Sequence, residues 1–453
     1  MSINLNELNN QAVHSLYEKL YFKQWKEKKG EFELIISPKC NLACKYCYVK
    51  DFYHKTFPEK LYDENLTLTN LKIILNWLTE NHYYPHIDIF SGELLAQNIG
   101  YKVLDIIYNH YAVLPLEERI PSIGIPTNFT FLCSDEYTNK IEDYITKFDS
   151  INVCLWLSAS FDGYYMEENR PFVGDLDIPL DVFRDKEYYE KVANFCAKHH
   201  YGFHPMVYAE NIDKWIKNFD WFIDLIQRHN MPLDALYLLE VRNAKWTQEQ
   251  LKEFSKFIRY IFYWGWNYCN HDKVRFAKFL FKHDEENPMG WNILASPFSD
   301  RSNGISCNIQ AGPTIRVADL NFFPCHRTMY ERFNLGHFIV ENNKIKDYWV
   351  DHAELAMTIP MMKNKIAPRC MSCPINELCS GGCFGSQYEN TKEIFTPVPT
   401  VCHLELVKLY TLLECFSETD TLDIVLGAVS HNKRVQILAF MTNNWEEYIH
   451  DFE

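Results

Sequence analysis

The sequence lacks the features of membrane-spanning, secreted and nucleic-acid-binding proteins. No apolar run reaches the length of about 18 residues that a transmembrane helix needs. The N-terminal residues do not place a basic stretch before an apolar one, so no secretory signal is predicted. Acidic residues outnumber basic ones, which gives a formal charge of −15 and no concentration of Lys and Arg for phosphate contacts. We therefore expect a cytoplasmic protein that binds neither membranes nor nucleic acid.

Cysteine, by contrast, is abundant. The chain has 15 cysteines, and without a secretory signal they indicate metal ligands or buried thiols rather than disulfides. Cys40, Cys44 and Cys47 form a CX3CX2C array directly after an apolar, strand-like run at 32–37. A structural zinc site has four closed ligands. A 4Fe-4S cluster held by three thiolates leaves one iron open to another ligand. On its own, the array is compatible with a zinc knuckle or with such a cluster.

A second cysteine group lies near the C-terminus. Cys370, Cys373, Cys379 and Cys383 are spaced CX2CX5CX3C, and Cys402 follows. Four cysteines at this spacing arise by accident in about one chain in two thousand of this composition. Cys307 and Cys325 precede the group and bracket a segment with turn residues. Thiolates in pairs suit both a zinc ribbon and an iron-sulfur cluster.

From residue 32 to about residue 242, apolar strand-like and periodic helix-like segments alternate. Predicted strands are 32–37, 86–91, 121–127, 151–158, 203–208 and 235–240, and helix-length periodic segments separate them. Such alternation predicts a parallel α/β sheet with crossover helices. Binding sites in these folds lie at the carboxyl ends of the strands.

The first array resembles that of the radical S-adenosylmethionine (SAM) superfamily, because it follows the first strand and has an aromatic residue, Tyr46, just before its third cysteine. The resemblance implies a partial (β/α)6 TIM-like barrel. It also implies that SAM chelates the open iron of a 4Fe-4S cluster. An electron from the cluster then splits SAM to a 5'-deoxyadenosyl radical, which abstracts hydrogen from a substrate.

Several strand ends match the SAM-binding motifs of that superfamily. Ser91, Gly92 and Glu93 resemble the Gly-Gly-Glu motif that holds the SAM amino group, and a generic βα turn is the alternative. Asn128 resembles the Asn of a Thr-Asn-Gly turn, with Phe129 in place of the Gly. We expect the bulky Phe129 to disfavour a left-handed turn.

After the fourth strand, the resemblance implies that further residues contact the ribose and methionyl parts of SAM, although Ser, Asp and Gly are common in any βα loop. These residues are Ser160, Asp162 and Arg170.

The seven later cysteines resemble a SPASM domain with two auxiliary 4Fe-4S clusters, so that the chain would hold three clusters in all. The resemblance implies that Cys370, Cys373, Cys379 and Cys402 bind the outer cluster and that Cys307, Cys325 and Cys383 bind the inner one. A fourth inner ligand is left open among Cys269, another group and the substrate. Leu320 stands where the usual form has a Gly.

Relatives with a SPASM domain mostly modify peptides or proteins, so the resemblance implies a maturase that oxidatively crosslinks or otherwise modifies a ribosomally made peptide. It also implies a reducing electron donor such as flavodoxin or ferredoxin. Sulfatase maturases have an Asp base directly after the second SPASM cysteine, where this chain has His326. Imidazole can act as a base near neutral pH or tune a cluster by hydrogen bonding to sulfur. Formylglycine formation is therefore the alternative, and a noncatalytic zinc-binding interaction protein is the alternative of another class.

The predicted domain order has five parts. They are an N-terminal helical segment (1–30), the partial barrel (31–243), a bridging region (244–306), the SPASM domain (307–403) and C-terminal helices (404–453).

Overall fold

The structure is a computed structural model that describes residues 5–49, 63–180, 182–281, 291–298, 312–361, 367–379 and 381–442. The chain forms two compact units, each assembled from segments that are distant in sequence. The first unit is Met1–Ser160, Pro171–Tyr188 and Cys307–Met362. The second unit is Phe161–Arg170, Tyr189–Ser306 and Lys363–Glu453. The five-part domain order stays a prediction.

The first unit is built on an eight-stranded sheet. Its strands are β1 Glu31–Ile35, β2 His86–Phe90, β3 Ser122–Thr127, β4 Cys154–Ala159, β7 Thr314–Arg316, β8 Asn321–Phe323, β9 Gly336–Glu341 and β10 Lys344–Val350. The strand order is β10-β9-β8-β7-β1-β2-β3-β4. Strands β1 to β4 pair in parallel, and β7 pairs in parallel with β1. The strands that precede Cys325, β7 and β8, therefore belong to the same sheet as β1, the strand that precedes the first cysteine array.

Helices connect the parallel strands of this sheet, as crossover connections require. They are α2 Glu64–Glu80, α3 Asn98–Ala112 and α4 Asp135–Ser150. Before the sheet, the chain is helical over α1 Leu5–Tyr17, a π-helical turn Glu18–Phe22 and a single turn Lys23–Lys26. After it, α9 Ala353–Met361 closes the unit. Strand residues such as Leu34, Ile87 and Ile123 are fully buried, as expected when helices cover a parallel sheet.

The second unit is mainly helical. Its helices are α6 Trp215–Arg228, α7 Gln248–Tyr268, α8 Lys273–Phe281, α10 Phe384–Thr391, α11 Pro399–Glu418, α12 Leu422–Ala428 and α13 His431–Thr442, with single turns at Asn292–Ala295 and Pro368–Met371. Helix α5 Lys186–His199 begins in the first unit and continues into the second. A two-stranded parallel sheet joins β5 Met206–Val207 to β6 Leu239–Glu240.

Aromatic side chains form the core of the second unit. Trp215 and Phe219 pack against Phe257, and Phe262 packs edge-on against Phe416. The buried aromatic residues of α7, among them Phe257 and Phe262, thus belong to this core. No helix within the described residues is both long enough and apolar enough to cross a bilayer.

Candidate functional site

The loop that carries Cys40, Cys44 and Cys47 begins directly after β1. The Leu42 N–H donates to Cys40 Sγ at 3.4 Å, and the Cys47 N–H donates to the Cys44 carbonyl at 3.1 Å. Burial raises the pKa of the Cys40 thiol, and nearby Glu93, Cys44 and Cys47 raise it further. The loop thus brings three soft sulfur donors and one carboxylate into the same neighbourhood.

The segment after β2 lies against this loop, and Gly92 makes the approach possible. The Gly92 N–H donates to the Ser37 carbonyl at 2.9 Å, and the Glu93 N–H donates to the Lys39 carbonyl at 2.8 Å. A Cβ on Gly92 would lie 2.1 Å from the Lys39 oxygen. The Ser91 hydroxyl accepts from the Ser37 N–H at 3.3 Å. The contact therefore requires Gly at position 92 but accommodates Ser at position 91.

Glu93 is held in a buried hydrogen-bond network at the end of β3. Its carboxylate accepts from the Thr127 hydroxyl at 2.7 Å and from the Asn128 N–H at 2.6 Å. Burial raises the pKa of Glu93 to about 7, although these bonds oppose the shift. The Asn128 side chain donates to Asn41 Oδ1 at 2.8 Å, directly beside the cysteine loop. The structure thus brings Gly92, Glu93 and Asn128 together next to Cys40.

Phe129 adopts the left-handed backbone that its size was expected to disfavour, with φ 61° and ψ 14°. That expectation is wrong. The Phe129 side chain is fully buried, and its N–H donates to the Thr127 hydroxyl at 3.2 Å. A left-handed non-Gly residue costs roughly 1–2 kcal/mol. Burying a Phe contributes about 1.5–3 kcal/mol, which offsets that cost.

Ser160 and the Asp162–Arg170 pair belong to different units. In the first unit, the Ser160 N–H donates to the Thr127 carbonyl at 2.8 Å. In the second, Asp162 Oδ1 accepts from Arg170 at 2.9 Å and from the Met206 N–H at 2.9 Å. Both side chains of this pair are almost fully buried. Their assignment to SAM, like that of Ser160 and the half-buried Tyr46, stays a prediction.

The outer cysteine group encloses a cavity of about 230 Å³ in the second unit. Its walls include all four predicted ligands, Cys370, Cys373, Cys379 and Cys402. The Gly381 N–H donates to Cys379 Sγ at 3.2 Å. Burial, together with Cys370 and Cys373, raises the pKa of Cys402 to about 12. These four cysteines around one cavity, with a backbone donor to one sulfur, are the residues that could hold a 4Fe-4S cluster.

The predicted inner-cluster ligands are less completely placed. Cys307 lies outside the described residues, Cys325 belongs to the first unit, and Cys383 belongs to the second and also lines the cavity. Cys269, a candidate fourth ligand, is buried at the end of α7, where burial raises its thiol pKa to about 11. The ligand set of the inner cluster stays a prediction.

Leu320 occupies a left-handed position, with φ 61°, in the hairpin between β7 and β8. Its N–H donates to the Arg316 carbonyl at 2.9 Å. The backbone conformation explains why Gly suits this position, and the buried Leu side chain shows how this chain tolerates the change.

His326 is fixed by a carboxylate that the sequence analysis did not single out. Glu33 on β1 accepts from the His326 backbone N–H at 3.0 Å and contacts Nδ1 at 2.9 Å. The imidazole stacks on Phe90, with ring centroids 3.9 Å apart. Burial would raise the pKa of Glu33, but His326 and the Thr314 hydroxyl lower it below its usual value. A carboxylate on Nδ1 favours the tautomer that leaves Nε2 as an acceptor.

The signal for these missed residues is a charge in an apolar strand. Glu33 lies in the buried run of β1, and Asp88 lies directly opposite it on β2. Asn41 gives the same kind of signal, since it is a fully buried polar residue directly after Cys40. Thr127 was already part of the resembled Thr-Asn-Gly turn. Within the described segments, no three Cys, His, Asp or Glu side chains are grouped tightly enough to hold a single metal ion.

Replacing Asp88 with Asn should stabilise the protein at alkaline pH. Burial, followed by Glu31 and Glu33, raises the pKa of Asp88 from 3.8 to about 7. A raised folded-state pKa means that the stability due to this group is present below pH ~4 and is lost as pH rises towards 7. Relative to wild type, Asp88→Asn should therefore gain up to about 3 kcal/mol between pH 5 and pH 8. Urea unfolding at both pH values measures the difference. Asp213→Asn, an exposed control, should parallel wild type, and a parallel Asp88→Asn curve would contradict the raised pKa.

No model of a known protein family matches the sequence, and no curated protein sequence matches it. The structure is similar to that of anSMEcpe, an anaerobic sulfatase maturating enzyme solved with bound AdoMet and the Cp18Cys peptide. The TM-score is 0.54 at 15% identity, over 88% of this chain and 99% of that chain. Streptococcus suis SuiB is also similar, both bound to S-adenosylmethionine and bound to its precursor peptide SuiA. The two SuiB structures give TM-scores of 0.44 and 0.46 at 12% identity, over 84% of this chain and 76% and 77% of SuiB.

The likeness to anSMEcpe shows that this chain shares its fold. The predicted α/β fold, with parallel strands connected by helices, is thereby confirmed.

Proposed function

We propose that this protein is a radical SAM enzyme that modifies a peptide. The observation that carries the proposal is the packing of the Cys40–Cys44–Cys47 loop against Gly92 and Glu93 at the carboxyl ends of the parallel strands. Thiolates at three positions suit a 4Fe-4S cluster with one open iron. Glu93 is a buried carboxylate beside that loop, and an ammonium group such as that of SAM is the partner such a carboxylate favours.

The cofactors would be SAM and three 4Fe-4S clusters, which together supply a carbon-centred radical and an acceptor for a second electron. The residues of this chain would position SAM. Glu93 would accept from its amino group, with Gly92 and Ser91 supporting the approach, and Asn128 would hold Glu93 through its backbone N–H. Tyr46, Ser160, Asp162 and Arg170 would complete the SAM contacts. A flavodoxin or ferredoxin would supply the reducing electron.

A peptide is the substrate class we favour, since the solved enzyme of similar fold has both AdoMet and the Cp18Cys peptide bound. The main reading is oxidative crosslinking or another modification of a ribosomally made peptide. Formylglycine formation is the second candidate. His326 supports it, because Glu33 orients the imidazole as a proton acceptor would require. The noncatalytic zinc-binding protein is the candidate of another class.

One set of measurements on anaerobically purified protein separates these candidates. Three clusters predict about twelve irons per chain and release of 5'-deoxyadenosine on reduction with SAM. Zinc without SAM cleavage would overturn the enzyme assignment. Adding a Cys-containing peptide and analysing the product by mass spectrometry then distinguishes an aldehyde, which the sulfatase-type reaction requires, from a crosslink or another modification.

A further inference from the structure

Four charged side chains form a network in the second unit. Glu240, at the end of β6, accepts from Lys408 at 2.8 Å and from Arg242 at 3.1 Å. Glu405 on α11 contacts the same two cations, at 3.2 Å and 3.1 Å. The side chain of Lys408 is only 1% exposed, and those of Glu240 and Glu405 are 3% and 5% exposed. We call these four residues the charge network.

Glu240 and Lys408 of the charge network stay ionised although they are buried. Burial would raise the pKa of Glu240, but Lys408 and Arg242 hold it well below its usual value. Burial would lower the pKa of Lys408, but Glu240 and Glu405 raise it. Buried ion pairs are expensive, and apolar replacements of similar volume are often as stable or more so. A contribution to folding stability is therefore a weak explanation for the presence of two cations and two anions at this position.

The network borders the cavity of the outer cysteine group. Glu405 follows Cys402 by three residues, about one turn of α11, so both lie on the same side of that helix. Ser386, which lines the cavity, donates to the Arg242 carbonyl at 3.3 Å. Cys379, a predicted ligand of the outer cluster, also lies close enough to Arg242 to affect its pKa. Burial lowers the pKa of Arg242, but Glu240, Glu405 and the Cys379 thiolate together raise it.

We propose that the charge network holds the Arg242 cation near Cys379 and thereby sets the reduction potential of the outer cluster. The inference rests on the proposed function, which places a 4Fe-4S cluster in this cavity. Reduction adds a negative charge to the cluster, so a nearby cation favours the reduced form and a nearby anion disfavours it. Glu240 and Lys408 are positioning residues, because they orient Arg242 and Glu405 within the network.

The test is an anaerobic redox titration of the reconstituted full-length protein, followed by electron paramagnetic resonance of the outer cluster. Arg242→Gln removes the cation and should lower the potential, whereas Glu405→Gln removes an anion and should raise it. Each shift should be at least about tenfold in the reduction equilibrium, or about 59 mV for one electron. Arg242→Lys keeps the charge and should shift the potential less than Arg242→Gln does.

Arg259→Gln is the matched control. Arg259 on α7 also pairs with two carboxylates of α11, those of Glu414 and Glu418, but it is more exposed than Arg242 and bonds farther along α11. Its removal should leave the potential unchanged. Opposite shifts in the two network variants support the proposal, and Glu405→Gln alone decides it should Arg242→Gln fail to fold. Equal shifts of one sign, or no shift, would overturn this inference alone. A wild-type protein without the outer cluster would overturn the proposed cofactors and this inference with them.

Discussion

Cys44→Ala should lose reductive SAM cleavage entirely, with 5'-deoxyadenosine formation falling to the level of a protein-free reaction. Cys44 is the central residue of the loop after β1, and a 4Fe-4S cluster with only two thiolate ligands and an open iron loses its defined binding geometry. The measurement is 5'-deoxyadenosine release under anaerobic reduction, with iron content determined on the same sample. We expect iron to fall by about one third, from three clusters to two.

Two further cysteine variants control for thiol loss elsewhere. Cys154→Ala removes an exposed thiol on β4 that belongs to neither array, and it should cleave SAM as wild type does. Cys379→Ala removes one of the side chains that line the cavity of the outer cysteine group. It should impair product formation or folding more than SAM cleavage. If Cys44→Ala cleaves SAM at the wild-type rate, the assignment of this loop to the reactive cluster is wrong.

Periodicity located most of the regular structure because the signal was long and unambiguous. Two of the helix-length periodic segments predicted between the strands correspond to α4 Asp135–Ser150 and α6 Trp215–Arg228. The short last strands were overestimated. The predicted strand 203–208 is reduced to Met206–Val207, in part because Pro205 has no N–H to donate. The predicted strand 235–240 is correspondingly reduced to Leu239–Glu240.

The joining of β7 to β1 could not be predicted by the same reasoning. Pairing between strands almost 300 residues apart leaves no local trace, and β7 has only three residues, Thr314–Arg316. Because this pairing was missed, so was the contact between Glu33 and His326. The residue type of His326 was noted from the sequence, but the group that orients it comes from a strand at the other end of the chain.

Two bulky residues occupy positions where the resembled motifs have Gly. Phe129 and Leu320 both replace a Gly of the resembled motifs, and both adopt φ 61°. The two motifs therefore predict where the backbone is left-handed, even though this chain has no Gly at either position. Buried side chains offset the backbone cost at both positions, and this compensation is visible only in the packing.

Gly92→Ala should be the most damaging single-methyl change near the first cysteine loop. The added Cβ would lie 2.1 Å from the Lys39 oxygen and 2.5 Å from the Pro38 oxygen. Both obstacles are backbone atoms, so no side chain can rotate away and the loop itself must move. Overpacking of this kind costs about 3 kcal/mol of unfolding free energy. Urea unfolding measures that cost.

The same displacement should reach the proposed SAM site. It would break the bonds from Gly92 to Ser37 and from Glu93 to Lys39, which hold Glu93 beside Cys40. We therefore expect weaker SAM binding as well as lower stability. Gly427→Ala is the control, because Gly427 lies in exposed helix α12 with nothing within 4 Å of the added Cβ. That change should stabilise the protein by roughly 0.4–1 kcal/mol. Wild-type stability and SAM affinity in Gly92→Ala would show that the loop does not depend on this close approach, and the carboxylate beside Cys40 would then need another support.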